Sequence, residues 1–474
     1  MSILNVNKIS AVGGGSTITI AGIASVTNNI SVGNSVTAGS FVGPIEGAVT
    51  GNVTGNVTGD VTGNTSGSSG SCTGNAATAT LASGITTTAS INTSGIVTAT
   101  SFSGSGANLT SLPASGKGTN LFINGAMAID QRRSGAAEDF ASSLVWIVDR
   151  FFAQEEGTQN RITVQQVAVT ADTDPWNAGF RKAGKITNGN QNDGPVAAAG
   201  VHFHYKFEAQ DIAQSGWDYT SASSYVQLSF WIKSSVAFTL PFYIRSRDGS
   251  ARMYSSTQAL SANTWTKITR SIPGDPGGLQ IDNNNDRGLE LLVAPYYGTD
   301  GTASGSTLNA WKAWTSSSRF PDVATTWWDE DDATLEFTGF KLEVGSSVTD
   351  FDFKPYGEDL IRCQRYFQAH MSKENEGATF ATRFTTQAQG GINYYTAFRT
   401  SPSHTLKGVN IHVMSNGANV DVTSMNMTIG GTNVTTQTSL VALITAGSLV
   451  QGDACLAHGN AGDNPMGIWL DAEL

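Results

Sequence analysis

Residues 47–67, GAVTGNVTGNVTGDVTGNTSG, set Gly47, Gly51, Gly55, Gly59, Gly63 and Gly67 four apart, with Val49, Val53, Val57 and Val61 on the same period. An α-helix turns every 3.6 residues, so it would scatter these glycines around its surface and lose about 1 kcal/mol at each relative to alanine. An extended strand sends Gly and Val to one side and the Asn and Thr between them to the other. Its apolar face is then Val alternating with Gly. At about 25 cal/mol per Å² buried, such a face cannot offset an ordering cost of about 1–2 kcal/mol per residue. The strand needs partners.

From Met1 to Gly118 the charged side chains are Lys8, Glu46, Asp60 and Lys117, and the aromatic ones are Phe41 and Phe102. Low charge disfavours a solvated disordered tail, and the shortage of large apolar groups disfavours a globular core. The block VTAGSFVG at Val36–Gly43 returns as VTATSFSG at Val97–Gly104. Recurring small units stack, each burying what it cannot bury alone. Three identical chains about one axis would bring Val49, Val53, Val57 and Val61 against their symmetry mates, with glycine where backbones approach. The alternative is a flexible Gly/Ser/Thr linker. A linker has no use for regular valine or a returning block, so a trimeric shaft over 41–118 is the expectation, behind an attachment segment at 1–40.

All ten tryptophans lie beyond this region. From Thr119 the sequence reads as short strands separated by turn residues. YVQLSFWIK puts Val226, Leu228, Phe230 and Ile232 on one face and Tyr225, Gln227, Ser229, Trp231 and Lys233 on the other. FTLPFYIR does the same with Phe238, Leu240, Phe242 and Ile244, and VHFHYKF with Val201, Phe203, Tyr205 and Phe207. Such alternation marks half-buried antiparallel strands and a sandwich or jelly roll. In TLEFTGFKLEV the apolar parity switches between Phe337 and Phe340, which predicts a β-bulge near Gly339. Leu360, Cys363 and Phe367 fall at the spacing of one short helical face. Strands then resume, clearest in GINYYTAFRTSPSHTLKGVNIHVM and TSLVALIT. The fold class is therefore mainly β: a shaft, a jelly-roll-like sandwich over 119–350, a helical connector over 351–367 and a second β-sandwich over 368–474.

A net charge of −11 without any basic run argues against nucleic acid as a partner. No stretch of 18 apolar residues suits a membrane span, and the opening MSILNVNKIS lacks the form of a signal peptide. The chain is expected to stay in the cytoplasm where it is made until something else releases it. Cys72, Cys363 and Cys455 are odd in number and far apart, which fits free thiols.

Signals for chemistry are sparse. His202 and His204 share a strand face as metal ligands do, but no nearby Cys or His completes a set, and a surface pair beside Lys206 is the preferred reading. WWDEDD at Trp327–Asp332 could bind calcium or supply paired carboxylates for glycoside hydrolysis, yet neither the calcium-loop spacing nor a second acidic cluster is present. A solvated loop before Thr334 is preferred. There is no nucleophile elbow, P-loop or zinc-protease helix, and nothing calls for a cofactor or metal. Tryptophans are the surplus: Trp176 and Trp217 in turn-like sequence, with Trp311, Trp314, Trp327 and Trp328 late in the first β domain. Burial is the default for each. Sugars also stack C–H faces on such rings beside Asp or Asn, so Trp176, Trp217, Trp327, Trp328 and Asp329 are the candidate glycan contacts.

NLFINGAMAIDQRRSG at Asn120–Gly135, VDRFF at Val148 and FKLEVGSSVTDFDFKPYGEDLIRCQRYFQ at Phe340–Gln368 resemble the receptor-proximal part of bacteriophage tail fibres. GIVTATSFSGSGANLTSL and GNAATATLAS resemble shaft repeats of fibres from phages of marine cyanobacteria. FRTSPSHTL at Phe398–Leu406 resembles a strand found in such C-terminal domains. The resemblance implies a carbohydrate-binding-module-like jelly roll within a homotrimeric virion component. Its N-terminal end would be held by a tail or baseplate protein, and its β domains would face a host-surface glycan or outer-membrane receptor. The expectation is a virion adhesin without enzyme activity. The alternatives are a fibre that degrades polysaccharide with Asp329, Glu330, Asp331 or Asp332, and a structural fibre on the capsid or baseplate.

Overall fold

The computed structural model describes residues 119–140, 144–157, 162–189, 196–370, 377–407, 411–426, 438–445, 447, 449–459 and 467–474, and before them Val32 alone. The expected shaft, with Val49, Val53, Val57 and Val61, lies outside the described residues, as does the attachment segment apart from Val32. The described residues from 119 onward belong to one unit, Ser103–Leu474.

Nearly all of it is antiparallel β. One six-stranded sheet runs in the order Glu138–Phe140, Ile162–Ala168, Lys182–Thr187, Thr334–Val344, Tyr225–Ser234 and Thr266–Pro273. A seven-stranded sheet runs Trp311–Ala313, Arg252–Leu260, Phe238–Ser246, Arg287–Tyr297, Gly200–Glu208, Phe151–Glu156 and Val145–Val148. The expected apolar parities meet between them: Val226, Leu228, Phe230 and Ile232 share one core with Leu240, Phe242, Ile244, Val201, Phe203 and Phe207. Phe340 is the hub of this core. It stacks on Phe230 at 4.7 Å and packs within 5.5 Å of Phe122. The bulge falls where the parity switch predicts it, with a register shift between Thr338 and Lys341 and Gly339 at φ +71°.

The segment before the first strand closes the sandwich through side chains. The Asn120 amide donates to the Phe340 carbonyl at 2.8 Å, while its oxygen accepts from the Phe122 N–H at 3.0 Å and the Leu342 N–H at 3.1 Å. Asn120 thus substitutes for a strand neighbour beside the bulge. Asn124, at φ +59°, donates to the carbonyls of Ile129 and Asp149 at 2.8 and 2.9 Å. At Gly125 a Cβ would stand 2.2 Å from the Phe340 oxygen. The Asn-Gly pair lets the chain turn against the core strand.

The helix Tyr356–Gln364 turns Cys363 and Leu360 onto Ile123, Ile129 and Tyr366. It is shorter than the connector expected over 351–367: Phe367 opens the strand Phe367–His370, and Phe351 packs back onto the sandwich. The second β domain also differs from the expected sandwich. It is a closed barrel of Gly377–Phe384, Gln387–Asn393, Thr438–Thr445, Ala418–Asn426, Ile411–Ser415 and Ala454–Gly459, beside a three-stranded sheet of Phe367–His370, Gly467–Asp471 and Ser403–Lys407. Sandwich and barrel strands share the same alternation. Closure depends on the pairing of Gly377 with His458, and no local pattern encodes that contact. Phe380, Val413, Val441, Leu443 and Ala457 fill the barrel.

Among the described residues, no helix is long and apolar enough to cross a membrane.

Candidate functional site

Outward parity on the six-stranded sheet is mostly polar, with the rings of Tyr225 and Trp231 set among the polar groups. On Tyr225–Ser234 it carries Gln227, Ser229 and Lys233, and between the last two the half-buried ring of Trp231. The bulge at Gly339 keeps the neighbouring strand clear of that ring, since a Cβ there would lie 2.7 Å from Phe180 Cζ and 3.1 Å from Trp231 Cδ1. Across the sheet runs the segment Thr349–Phe353. It is fastened from below by Lys341, which is 1 % exposed, donates to the Asp350 carbonyl at 2.6 Å and pairs with Glu343 at 2.9 Å. Glu343 in turn accepts the Thr349 N–H and hydroxyl, both at 2.6 Å.

Sheet and strap enclose a cleft of about 350 Å³. Trp231 lines its sheet side, Phe180, Phe351 and Phe353 another, and Ser229, Lys267 and Asp350 supply polar groups. The three phenylalanines lie 4.7–5.0 Å apart, ring centre to ring centre. Phe353 is 46 % exposed, and the Lys267 ammonium stands 5.9 Å from the Trp231 ring. A hollow of this size, with apolar walls and a few convergent polar groups, suits a small ligand or part of a chain. Flat rings beside a hydroxyl, an ammonium and a carboxylate match the alternation of C–H faces and hydroxyls on a sugar. Another hollow of about 380 Å³ lies between Thr119–Ile123, Asp211–Ser215 and Arg362–Tyr366. Its one ring, Tyr366, is buried and bonded to Glu208 at 2.5 Å, which leaves no stacking surface.

The candidate contacts separate. Trp217, Trp327 and Trp328 are 3 %, 0 % and 3 % exposed and belong to the sandwich core, so glycan contact is withdrawn for these three. Apolar packing takes them: Trp328 tilts against Tyr296 at 4.8 Å, and Trp217 sits at 6.2 Å from Tyr219. Trp176 stays half-buried, under Arg181 at 3.8 Å and against the group that contains Phe180, on the flank of the cleft rather than in its lining. Asp329 is exposed in a loop, takes the Thr325 hydroxyl, and is followed by exposed Glu330, Asp331 and Asp332. Trp231 is the ring that sequence reasoning missed. Its signal is a tryptophan on the outward parity of a half-buried strand.

His202 and His204 correct the expected surface pair, being 1 % and 6 % exposed on the outer side of the seven-stranded sheet. His204 Nδ1 lies 2.6 Å from Glu290 and its Nε2 lies 2.6 Å from His202 Nδ1. Burial pushes His204 down to about 4, against the pull of Glu290, so it is neutral at pH 7. Its Nδ1–H then donates to Glu290 while Nε2 accepts from His202, so both ring nitrogens of His204 are occupied. No group of three or more His, Cys, Asp or Glu among the described residues could hold a metal ion.

No family model and no curated protein matches the sequence. Solved structures with a similar path include the enzymatically active domain of tailspike protein 4 of bacteriophage CBA120, at 12% identity and a TM-score of 0.25, over 48% of this chain and 21% of that one. This chain therefore spans about a fifth of that domain. A CBM4 structure matches at 12% identity and TM-score 0.21, over 47% of this chain and 99% of that one. A family 11 carbohydrate-binding module from Clostridium thermocellum, in complex with a β-1,3-1,4-mixed-linked tetrasaccharide, matches at 13% and 0.20, over 44% and 99%.

Proposed function

We propose that the chain is the trimeric fibre of a bacteriophage virion, held at its N-terminal end by a tail or baseplate protein, and that its β domains attach the particle reversibly to a host-surface glycan. The observation that carries the adhesive half is the cleft over Trp231, with Phe353 exposed at its mouth and Ser229, Lys267 and Asp350 among its walls. The period-four valines and the likeness of Asn120–Gly135 to tail fibres support the fibre half. Three copies raise weak single-site contacts to useful avidity. Binding without cleavage is the reading because the cleft lining holds one carboxylate, Asp350, where glycoside hydrolysis uses a pair.

Light scattering on the full chain, followed by retention on intact host cells and on a glycan array, tests this. The expected result is a particle of three times 49.6 kDa that binds without releasing reducing ends, with affinity reduced about tenfold or more by Trp231→Ala. A monomer sinks the fibre, and undiminished binding by Trp231→Ala sinks the cleft.

A further inference from the structure

The outer face of the seven-stranded sheet carries cations that the Trp231 cleft does not use. Arg245, Glu290 and Lys206 stand directly opposite one another on three adjacent strands, and Arg247 and Arg287 flank them along two of those strands. Arg319 reaches in from the loop beyond Tyr297. Rings fix these groups: Arg245 lies 3.6 Å over Trp314, Arg319 4.7 Å over Tyr297, and Lys206 4.4 Å over Phe152. The stacking is continuous, since Tyr297 faces His202 at 5.3 Å and Phe152 faces His204 at 4.9 Å.

The acids nearby are already engaged. Glu290 is held by His204 and, at 2.5 Å, by Arg247 Nε. Glu473 pairs with Arg150 and lies 3.7 Å from Arg132, Asp286 is 3.9 Å from Arg399, and Glu156 accepts the Tyr297 hydroxyl at 3.1 Å. Among the described residues Arg245, Arg287 and Arg319 form no ion pair, and Lys206 donates to the Leu474 oxygen at 2.5 Å, with donors to spare. In a chain of net charge −11 this is a local inversion of sign. The inversion strains the cations themselves: burial and then Arg247 lower both Arg245 and Arg287, and burial with Arg287 brings Lys206 down to about 8.

We propose that this face binds an anionic polysaccharide, whose carboxylate, sulfate or phosphate groups bridge Arg245, Arg287, Arg319 and Lys206. Guanidinium forks stacked on rings are already oriented for bidentate contact with such groups. An anion there offsets the mutual repulsion that burial enforces. The row crosses strands about 4.8 Å apart, so it meets a chain of charged units laid across the sheet. Gln154 and Glu156, which is already bonded to Gln154 and to the Tyr297 hydroxyl, stand beside the row and suit the hydroxyl groups that a sugar chain carries on every unit. The site lies on the other sheet from the Trp231 cleft and does not depend on it.

Affinity electrophoresis of the full chain through gels containing polygalacturonate, dextran sulfate or neutral dextran tests the site. Retardation by the two anionic polymers and not by neutral dextran is expected, weakening between about 0.05 and 0.5 M salt as screening grows. Arg245→Gln with Arg319→Gln should lower affinity at least tenfold, and Arg245→Lys with Arg319→Lys, which keeps the charge but not the fork, should lose less. Arg287→Gln alone, with a thermal melt matching the parent, guards against a variant that merely fails to fold and should cost about threefold. Equal retardation by neutral dextran, full binding by the melt-matched Gln variants, equal loss in the Lys and Gln variants, or tighter binding of a DNA duplex than of either polymer overturns the proposal.

Discussion

Arg150 of the sandwich and Glu473 beyond the barrel, 323 positions apart in sequence, form an ion pair whose side chains are 2 % and 4 % exposed. The guanidinium also lies 3.5 Å over the Tyr366 ring and donates to the Lys206 carbonyl at 2.6 Å, so sandwich, connector and last strand meet at one charge. Removing one partner of a buried pair leaves the other unpaired, at a cost of about 3–5 kcal/mol. Glu473→Gln should lower the urea midpoint accordingly, and Arg150→Met with Glu473→Met should recover most of the loss. A Glu473→Gln midpoint within about 0.5 kcal/mol of the parent would mean the pair does not join the two domains.

Asp149 is 1 % exposed, and burial pushes its carboxyl up to about 7 against the opposing effects of Arg132 and Gln131. Its folded value lies above its unfolded one. Between about pH 4 and 7 the folded chain therefore keeps a proton that the unfolded chain has released, and stability falls as pH rises through that window, then levels off. Asp149→Asn, which cannot titrate, should gain on the parent from pH 4 to 8 by up to about 4 kcal/mol, the value of some three pH units. Denaturation curves at both ends of the range measure the difference. A gap that stays constant with pH would show that Asp149 titrates normally.

Gly339→Ala should disturb the cleft more than the core. A left-handed backbone costs a side chain about 1–2 kcal/mol, and the new methyl group would press on Phe180 and Trp231, whose rings line the cleft. The expected outcome is a modest fall in melting temperature together with loss of binding by the cleft. Undiminished binding would remove the bulge from the account of the site.

Cys363 is fully buried, and burial, then Asp149 and Asp359, raise its thiol well above the usual range; burial and Asp453 raise Cys455. Thiolate is the reactive form. In a Cys72→Ser background, neither thiol should react with a maleimide in the native chain at pH 7, and both should react in urea. Rapid native labelling of either would contradict the packing.

Local alternation is enough to place the strands around Phe230, Phe242 and Phe203, and the parity switch places the bulge at Gly339, because each rests on which neighbours share a face. What depends on distant contacts is hidden. Barrel closure needs residues Gly377 and His458 side by side, and nothing near either announces it. The tryptophans illustrate the same limit: Trp327 and Trp328 sit in a polar, acidic run that reads as surface, yet the loop turns both rings inward and leaves Asp329 outside. His202 and His204 occupy the outward parity of their strand and are still buried, as covering side chains and stacked rings close over them. Trp231 is legible in its pattern. The strap Thr349–Phe353 that makes a cleft of it is not.

The strands Phe367–His370 and Gly467–Asp471 lie side by side, and Ser403–Lys407 completes their sheet. In chain order the barrel strands fall in two groups, one on either side of Ser403–Lys407, so the chain leaves this sheet for the barrel twice and returns to it twice. Recombination can therefore exchange the barrel as a cassette only together with Ser403–Lys407, keeping the pairing of Phe367–His370 with Gly467–Asp471 and leaving the sandwich core in place.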